Sequence, residues 1–255
     1  MIAITREVST SLAHCELSFL QRSPIDVTLA RAQHRAYQQA LEQLGCTLVA
    51  LPTLAEMPDA VFVEDVAIVT DEVAVMARTG AVSRRGEGAS AAAALRAYRP
   101  VRTIEAPGTI DGGDVLRIGR RIFIGDSART NADGTAQLTA ILAPFGYTVE
   151  RVPIRECLHL KSAVTALDDT RVLLQPAWVD ASAFSDFGIV ETDPSEEHAA
   201  NVLRVGTHVM SPASFPRTHA RLRAAGVSVV PVDVSEIQRA EGAVTCCSIL
   251  LRETA

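Results

Sequence analysis

One unit recurs along this chain: an apolar strand, a polar turn, a second strand, then a helical stretch and a third strand. Such a recurrence constrains the fold more than any single motif, because each unit is too small to bury its apolar surface alone and must pack on its neighbours. Asp65-Val66-Ala67-Ile68-Val69 turns at Thr70-Asp71-Glu72 and returns on Val73-Ala74-Val75-Met76. Asp114 to Ile118 turns at Gly119-Arg120 and returns on Ile122-Phe123-Ile124; Ser162 to Leu167 turns at Asp168-Asp169-Thr170 and returns on Val172-Leu173-Leu174. Asn201 to Val205 turns at Gly206-Thr207 and returns on His208-Val209-Met210. Turn residues between β-branched runs are the hairpin signal. A fifth hairpin would pair Cys246 to Leu251 with the N-terminal run Ile2 to Thr5, joining the two chain ends.

Helix-like segments follow at Val27 to Leu44, Ala89 to Tyr98, Gly134 to Phe145 and Pro216 to Ala225, each leading into an apolar run: Thr47 to Leu51, Val101 to Ile104, Thr148 to Val152 and Ser228 to Val232. The hairpin starts lie about 39 to 49 residues apart, a spacing typical of radial repeats. The pattern reads as α/β, a five-bladed propeller of pseudo-symmetric strand-strand-helix-strand repeats forming one domain over residues 1–255. An open, doubly wound sheet alternates helices and strands too and stays an alternative on pattern alone. It lacks its usual chemistry here, since no G-x-G-x-x-G, Walker loop or G-x-S-x-G elbow is present.

With 48% apolar and 21% charged residues the chain can bury a substantial core, which argues against disorder. A net charge of -6 and no basic cluster beyond pairs such as Arg84-Arg85 exclude a nucleic-acid footprint. No apolar run approaches the length of a spanning helix, and the N-terminus is too short for a signal peptide, so no membrane association is expected. Five cysteines, an odd number without a C-x-x-C pair, suggest neither a disulfide framework nor a zinc site, and point to a reducing, cytoplasmic setting.

The chemistry-bearing residues fall at the openings of successive units. Thr245-Cys246-Cys247-Ser248 places two thiols on an expected strand, where adjacent side chains face opposite sides, so one can meet a pocket while the other packs. Two buried structural thiols are the plainer alternative. His159 enters the third hairpin between Leu158 and Leu160, as proton carrier or as hydrogen-bonded scaffold. Asp111-Gly112-Gly113-Asp114 and Glu64-Asp65 open two others, although Asp-Gly-Gly-Asp also suits a plain turn. In a radial fold these points converge on one axial pocket. Its acids would suit a guanidinium, and arginines nearby a carboxylate.

Phe62-Val63-Glu64-Asp65, Ser83-Arg84-Arg85, Ile110 to Asp114, Ser127 to Asn131, Leu158 to Ser162, Ala199-Ala200-Asn201 and Thr245 to Ser248 together resemble the dimethylarginine dimethylaminohydrolases of the guanidino-group-modifying superfamily. That resemblance covers nearly the whole chain and implies the five-bladed α/β propeller known as the pentein fold. It implies Cys246 as nucleophile, His159 as general acid and base, and Asp111, where a glutamate often stands, as the acid that orients the histidine. By the same resemblance Asp59, Glu64 and Asp65 match residues that hold the guanidinium or its surroundings, Arg84 and Arg129 match those binding the amino-acid end, and Leu17 and Ser162 match pocket-lining positions. The implied reaction hydrolyses asymmetric dimethylarginine or monomethylarginine to citrulline through a cysteine thiouronium, with no metal or organic cofactor. A homodimer is compatible with the resemblance. Arginine deiminase is the rival within the superfamily, although those enzymes resemble longer chains with an added helical region; a non-catalytic arginine-binding propeller is the rival outside it.

Overall fold

Each recurring unit folds as a three-stranded sheet of one design in the computed structural model, which describes residues 1–253. In the first sheet β1 (Ile2–Arg6) is central, parallel to β2 (Thr47–Leu51) and antiparallel to β15 (Ile249–Leu251), with Ile4 opposite both Val49 and Ile249. The second sheet is β3 (Ala67–Val69), β4 (Ala74–Met76) and β5 (Val101–Thr103); the third is β6 (Val115–Ile118), β7 (Arg121–Asp126) and β8 (Thr148–Pro153). The fourth is β9 (Val164–Ala166), β10 (Arg171–Leu174) and β11 (Gly188–Glu191), and the fifth β12 (Leu203–Val205), β13 (His208–Pro212) and β14 (Ser228–Val232). The middle strand is always antiparallel to one partner and parallel to the other.

A parallel neighbour needs a crossover, and helices Val27–Gln43, Gly88–Leu95, Ala132–Leu142 and Pro216–Ala224 supply four of them. Their ends are written locally. Asp26 accepts from the amides of Thr28 and Leu29, Asn131 accepts from Gly134, and Gly45 at φ +85° lets the chain leave the first helix. The fourth sheet departs from the expected design, since only a 3₁₀ turn at Ala181–Phe184 lies between β10 and β11. There Phe184 is fully buried with its ring 4.8 Å from that of Phe123, and Trp178 packs in the same cluster, so bulky side chains take the place of a helix face.

Alternation along each strand explains how the core is divided. Ile2 and Ile4 join Ala67, Ala74 and Met76, whereas Ala3 joins Val205, Met210 and Val232. Val115, Ile122 and Ile124 meet Ile68 and Val75, while Leu116 and Phe123 meet Val164, Val172 and Leu174. Leu173 joins Val202 and Val209. Both faces of the sheets are therefore apolar, and the strands read as continuous hydrophobic runs rather than alternating ones.

The expected strand starts at Asp65, Asp114, Ser162, Asn201 and Cys246 are corrected: these residues precede the strands. Short helical turns at Val63–Val66, Gly112–Asp114, Leu160–Ala163 and Glu197–Ala200, and a turn over residues 244–247, lie just before β3, β6, β9, β12 and β15. Polar side chains there accept amides of the neighbouring turns, as Asp65 accepts from Gly113, Asp114 from Leu160 and Asn201 from Thr245, contacts that a sheet ladder would exclude. Among the described residues no helix is long and apolar enough to cross a membrane.

Candidate active site

The turns before the strands meet one another, and their hydrogen bonds show it. The Glu64 amide donates to the Cys246 carbonyl at 3.1 Å, and the Thr245 amide and the Asn201 side-chain carbonyl pair at 3.1 Å. Asn201 Nδ2 donates to Thr245 Oγ1 at 3.0 Å, and Thr245 Oγ1 donates to Glu64 Oε2 at 2.6 Å. Lys161 Nζ donates to Glu64 Oε1 at 2.6 Å and to the Gly112 carbonyl at 3.1 Å. All five units are thus tied into one polar cluster beside Cys246.

His159 sits at the head of its turn, 6% exposed, with Nε2 3.1 Å from Asp111 Oδ2 and Nδ1 3.9 Å from Asp65 Oδ1. Asp111 is fully buried and its other oxygen accepts the Gly80 amide at 2.8 Å, which fixes the carboxylate. Close approach explains the two glycines between the acids. A Cβ at Gly113 would lie 2.5 Å from His159 Nδ1, and one at Gly112 only 1.9 Å from the Glu64 carbonyl oxygen. Asp114 turns away to accept from Ser127 at 2.5 Å, Thr130 at 2.7 Å and the Leu160 amide at 3.1 Å, so it shapes the histidine turn.

Electrostatics set the protonation states. Burial alone would depress the His159 imidazolium, yet the carboxylates of Asp65, Asp114 and Asp111 outweigh it and hold it at about 9. Burial, reinforced by Glu64 and Asp65, pushes the Cys246 thiol up to about 12. Asp65 would be raised by its burial, but the Arg84 guanidinium and then His159 bring its carboxyl below the usual range. Without a ligand the pair at neutral pH is therefore thiol and imidazolium.

Cys246 and Cys247 differ as expected in exposure, although they lie in a turn rather than on a strand: Cys246 is half-buried and Cys247 completely buried. Cys246 and His159 line one cavity of about 430 Å³, together with Glu64, Ser162, Trp178 and Phe215. The remaining candidates do not line it. Asp59 is buried and accepts the Glu16 amide at 3.2 Å. Arg84 is buried and donates to Asp65 at 2.6 Å, Glu87 at 2.9 Å and the Phe62 carbonyl at 3.1 Å. Arg129 is 3.8 Å from Asp111, 3.5 Å from Glu16 and 3.3 Å from Ser18 Oγ. Leu17 is half-buried against the cluster between the first and fifth sheets.

Lys161, Thr245 and Asn201 were not singled out by residue chemistry, yet they organise Glu64. A signal for Lys161 existed, since it is the sole lysine among 24 basic residues. A compact ammonium reaches both Glu64 and a backbone carbonyl where a planar guanidinium would need more room. Donor atoms of Asp65, Asp111 and His159 lie within 4.8 Å of one another and could hold a cation, but they are already paired among themselves.

Comparison with known proteins agrees with this geometry. The arginine deiminase family model matches residues 53–211. The chain is 41% identical to an N(G),N(G)-dimethylarginine dimethylaminohydrolase of Streptomyces coelicolor, covering 98% of this chain and 97% of the relative. It is 38% identical to the protein of that name from Pseudomonas aeruginosa, covering 88% and 89%. A crystal structure from Pseudomonas aeruginosa, of a cysteine-to-serine variant complexed with citrulline, superposes with a TM-score of 0.92 at 36% identity over 97% of each chain. The chain belongs to the dimethylarginine dimethylaminohydrolase family.

Proposed function

We propose that this enzyme hydrolyses Nω-methylated arginine to citrulline and methylamine or dimethylamine through a covalent intermediate on Cys246. The observation that carries the reading is the pairing of a half-exposed thiol with a buried imidazolium on one cavity, underlain by acidic side chains. A guanidinium entering there brings the positive charge that the thiol lacks. It lowers the Cys246 pKa from its high resting position; because His159 is already protonated the thiol proton passes to solvent, and the thiolate adds to the guanidinium carbon.

His159 Nε2 is held by Asp111, which leaves Nδ1 to exchange protons. The imidazolium gives its proton to the departing amine as the carbon–nitrogen bond breaks, leaving an S-linked thiouronium. The neutral imidazole then takes a proton from water, whose oxygen adds to the same carbon; the carbon–sulfur bond breaks and citrulline leaves. Asp111 orients the ring throughout. Glu64 and Asp65 balance the charge of the guanidinium, with Asp59 behind them. Arg129, loosely paired at 3.3 to 3.8 Å, takes the substrate carboxylate. Arg84 holds Asp65 ionised and reaches the amino-acid end only by exchanging partners. Ser162 forms part of the wall, Leu17 stands beside the lining Phe19 and Leu20 at its edge, and the steps require no metal or cofactor.

The same reading takes residues 1–255 as one domain whose five sheets close into a propeller. Support comes from the apolar clusters that join each sheet to two others, and from β1 pairing with β15 at the chain ends. Five unpaired cysteines suit a cytoplasmic location.

Citrulline release without added metal from asymmetric dimethylarginine, monomethylarginine, arginine and agmatine, side by side, tests the proposal. Preference for the methylated arginines is expected. Preference for arginine would assign deiminase activity, which the family model also accommodates, and no release from any of the four would refute the reaction.

A further inference from the structure

Between Cys15 and the helix Val27–Gln43 the chain runs without regular structure, and Phe19, Leu20, Gln21 and Ser23 form part of the cavity wall. Its apolar side chains are poorly covered, Phe19 being 55% and Leu20 37% exposed. A segment with so little packing keeps one geometry only if its backbone is held. Arg22 donates to the Cys15 carbonyl at 2.6 Å and Arg239 to the Pro24 carbonyl at 2.7 Å, at the two ends of the segment; over residues 18–20 the holding group is Glu241. Its Oε1 accepts the amides of Ser18, Phe19 and Leu20 at 2.9, 2.6 and 2.5 Å, and its Oε2 accepts Ser18 a second time at 2.9 Å. Three successive amides converging on one carboxylate form an anion nest filled by the protein's own side chain.

The backbone of Glu241 has φ +58°, a region that side-chain-bearing residues rarely adopt and glycine adopts freely. Nothing in that conformation calls for a glutamate; the clasp does. Glu241 itself lines the cavity and lies on the segment that leads into Cys246, so the clasp ties the roof to the nucleophile's own stretch of chain. On its other side the roof meets Asp59, through the Glu16 amide, and Arg129, through Ser18 and Glu16. Leu17 lies between the two anchors.

We infer that Glu241 is a positioning residue whose carboxylate seats residues 16–25 as the roof of the cavity, so that Leu17 and the Asp59–Arg129 side are in place for substrate only while the clasp is made. This rests on reading the cavity as the arginine-derivative site. Glu241 touches no reacting atom, so its loss acts on binding rather than chemistry. Apparent affinity falls in proportion to the fraction of time the roof is seated, and a roof seated about one tenth of the time raises KM about tenfold.

Glu241→Gly removes the clasp and relieves the backbone, so the fold should not suffer; Glu241→Gln keeps one carbonyl acceptor. For asymmetric dimethylarginine, KM is expected to rise about tenfold or more in Glu241→Gly with kcat within about twofold, and Glu241→Gln should fall between it and the parent. Without ligand, amide hydrogen exchange at residues 18–20 and tryptic cleavage after Arg22 should both accelerate in Glu241→Gly. Unchanged KM, exchange and cleavage would overturn the inference, as would a fall in kcat at constant KM. If the parent protein turns over no methylated arginine, the functional reading fails instead, while exchange and cleavage still decide whether the clasp holds the roof.

Discussion

Replacing Asp111 with Asn removes one of three carboxylates that hold the His159 imidazolium and leaves the shape of the side chain intact. The rise of His159 from 6.5 to about 9 corresponds to about 3 kcal/mol of preference for the charged ring. Asp65 and Asp114 remain in the variant, so losing the Asp111 charge should lower the midpoint by about one unit, to about 8, the low end of what one adjacent charge does. Ring titration followed by NMR at the histidine Cε1–H reads this directly. Because His159 must be protonated to release the amine, the alkaline limb of the kcat profile should move down with the midpoint. A ring no longer held by its 3.1 Å partner should lower kcat further, by about 100-fold or more.

Stability gives an independent check with a definite sign. A histidine whose pKa is raised by folding stabilises the protein below pH 6.5, and that contribution is lost as pH climbs through about 9. The pH-dependent part of the variant's deficit should therefore be about 1.4 kcal/mol below about pH 8 and vanish above about pH 9. A His159 midpoint near 6.5 in the parent protein, or one that Asp111→Asn leaves in place, would refute the account of how this imidazole is charged.

Cys246→Ser should abolish citrulline release while Cys247→Ser keeps it, since only Cys246 reaches the cavity; equal loss in both would reject that assignment. Gly113→Ala should lower kcat by about 100-fold with little change in secondary structure, because the added methyl displaces the His159 ring it would otherwise overlap at 2.5 Å. Activity within about twofold of the parent would show that the ring position is not critical. Lys161→Met should cost about 2 kcal/mol in chemical denaturation by leaving Glu64 without its cation, with Lys161→Arg also impaired. Full stability in Lys161→Met would show that Glu64 needs no ion partner.

The repeat was legible because each strand is apolar on both faces, and the helix expected over Val27 to Leu44 is found at Val27–Gln43, capped by Asp26 and ended by Gly45. Strand starts were misplaced by one to three residues. Asp65, Asp114 and Ser162 adjoin apolar runs, and nothing in their side chains distinguishes the end of a strand from a helical turn that leads into it. The fourth crossover was equally opaque, since the need for a helix was met instead by Phe184 and Trp178. Cys246, His159 and Asp111 were legible as types in the right order, but Lys161, Thr245 and Asn201 were not. The roles of Lys161 and Thr245 exist only through contacts with Glu64, 97 and 181 positions away, and that of Asn201 through its bonds to Thr245, 44 positions away.

The misplaced boundaries also explain why the chemistry gathers where it does. Once both faces of every sheet are committed to apolar contacts with neighbouring sheets, a polar side chain within a strand is buried and needs a partner from outside the sheet, as Arg6 finds in the Ala60 carbonyl and Thr165 in the Ala200 carbonyl, so few are accommodated there. The turn just before each first strand is the place left, where the chain is near the other turns yet free of the sheet ladder. There a carboxylate can meet a histidine, a lysine or a threonine from another unit, as Asp111 meets His159 and Glu64 meets Lys161 and Thr245. Packing thus forces the acids, the imidazole and the thiol into one small volume. Burial there, reinforced by Glu64 and Asp65, raises the Cys246 thiol to about 12, while the acids outweigh burial and hold the imidazolium at about 9; on the proposed mechanism Cys246 is then dormant until a cation arrives. A neutral isostere of the substrate, lacking the guanidinium charge, should therefore occupy the cavity without speeding alkylation of Cys246, whereas a small guanidinium should speed it; equal rates with both would break the link between the site's acidity and its selectivity.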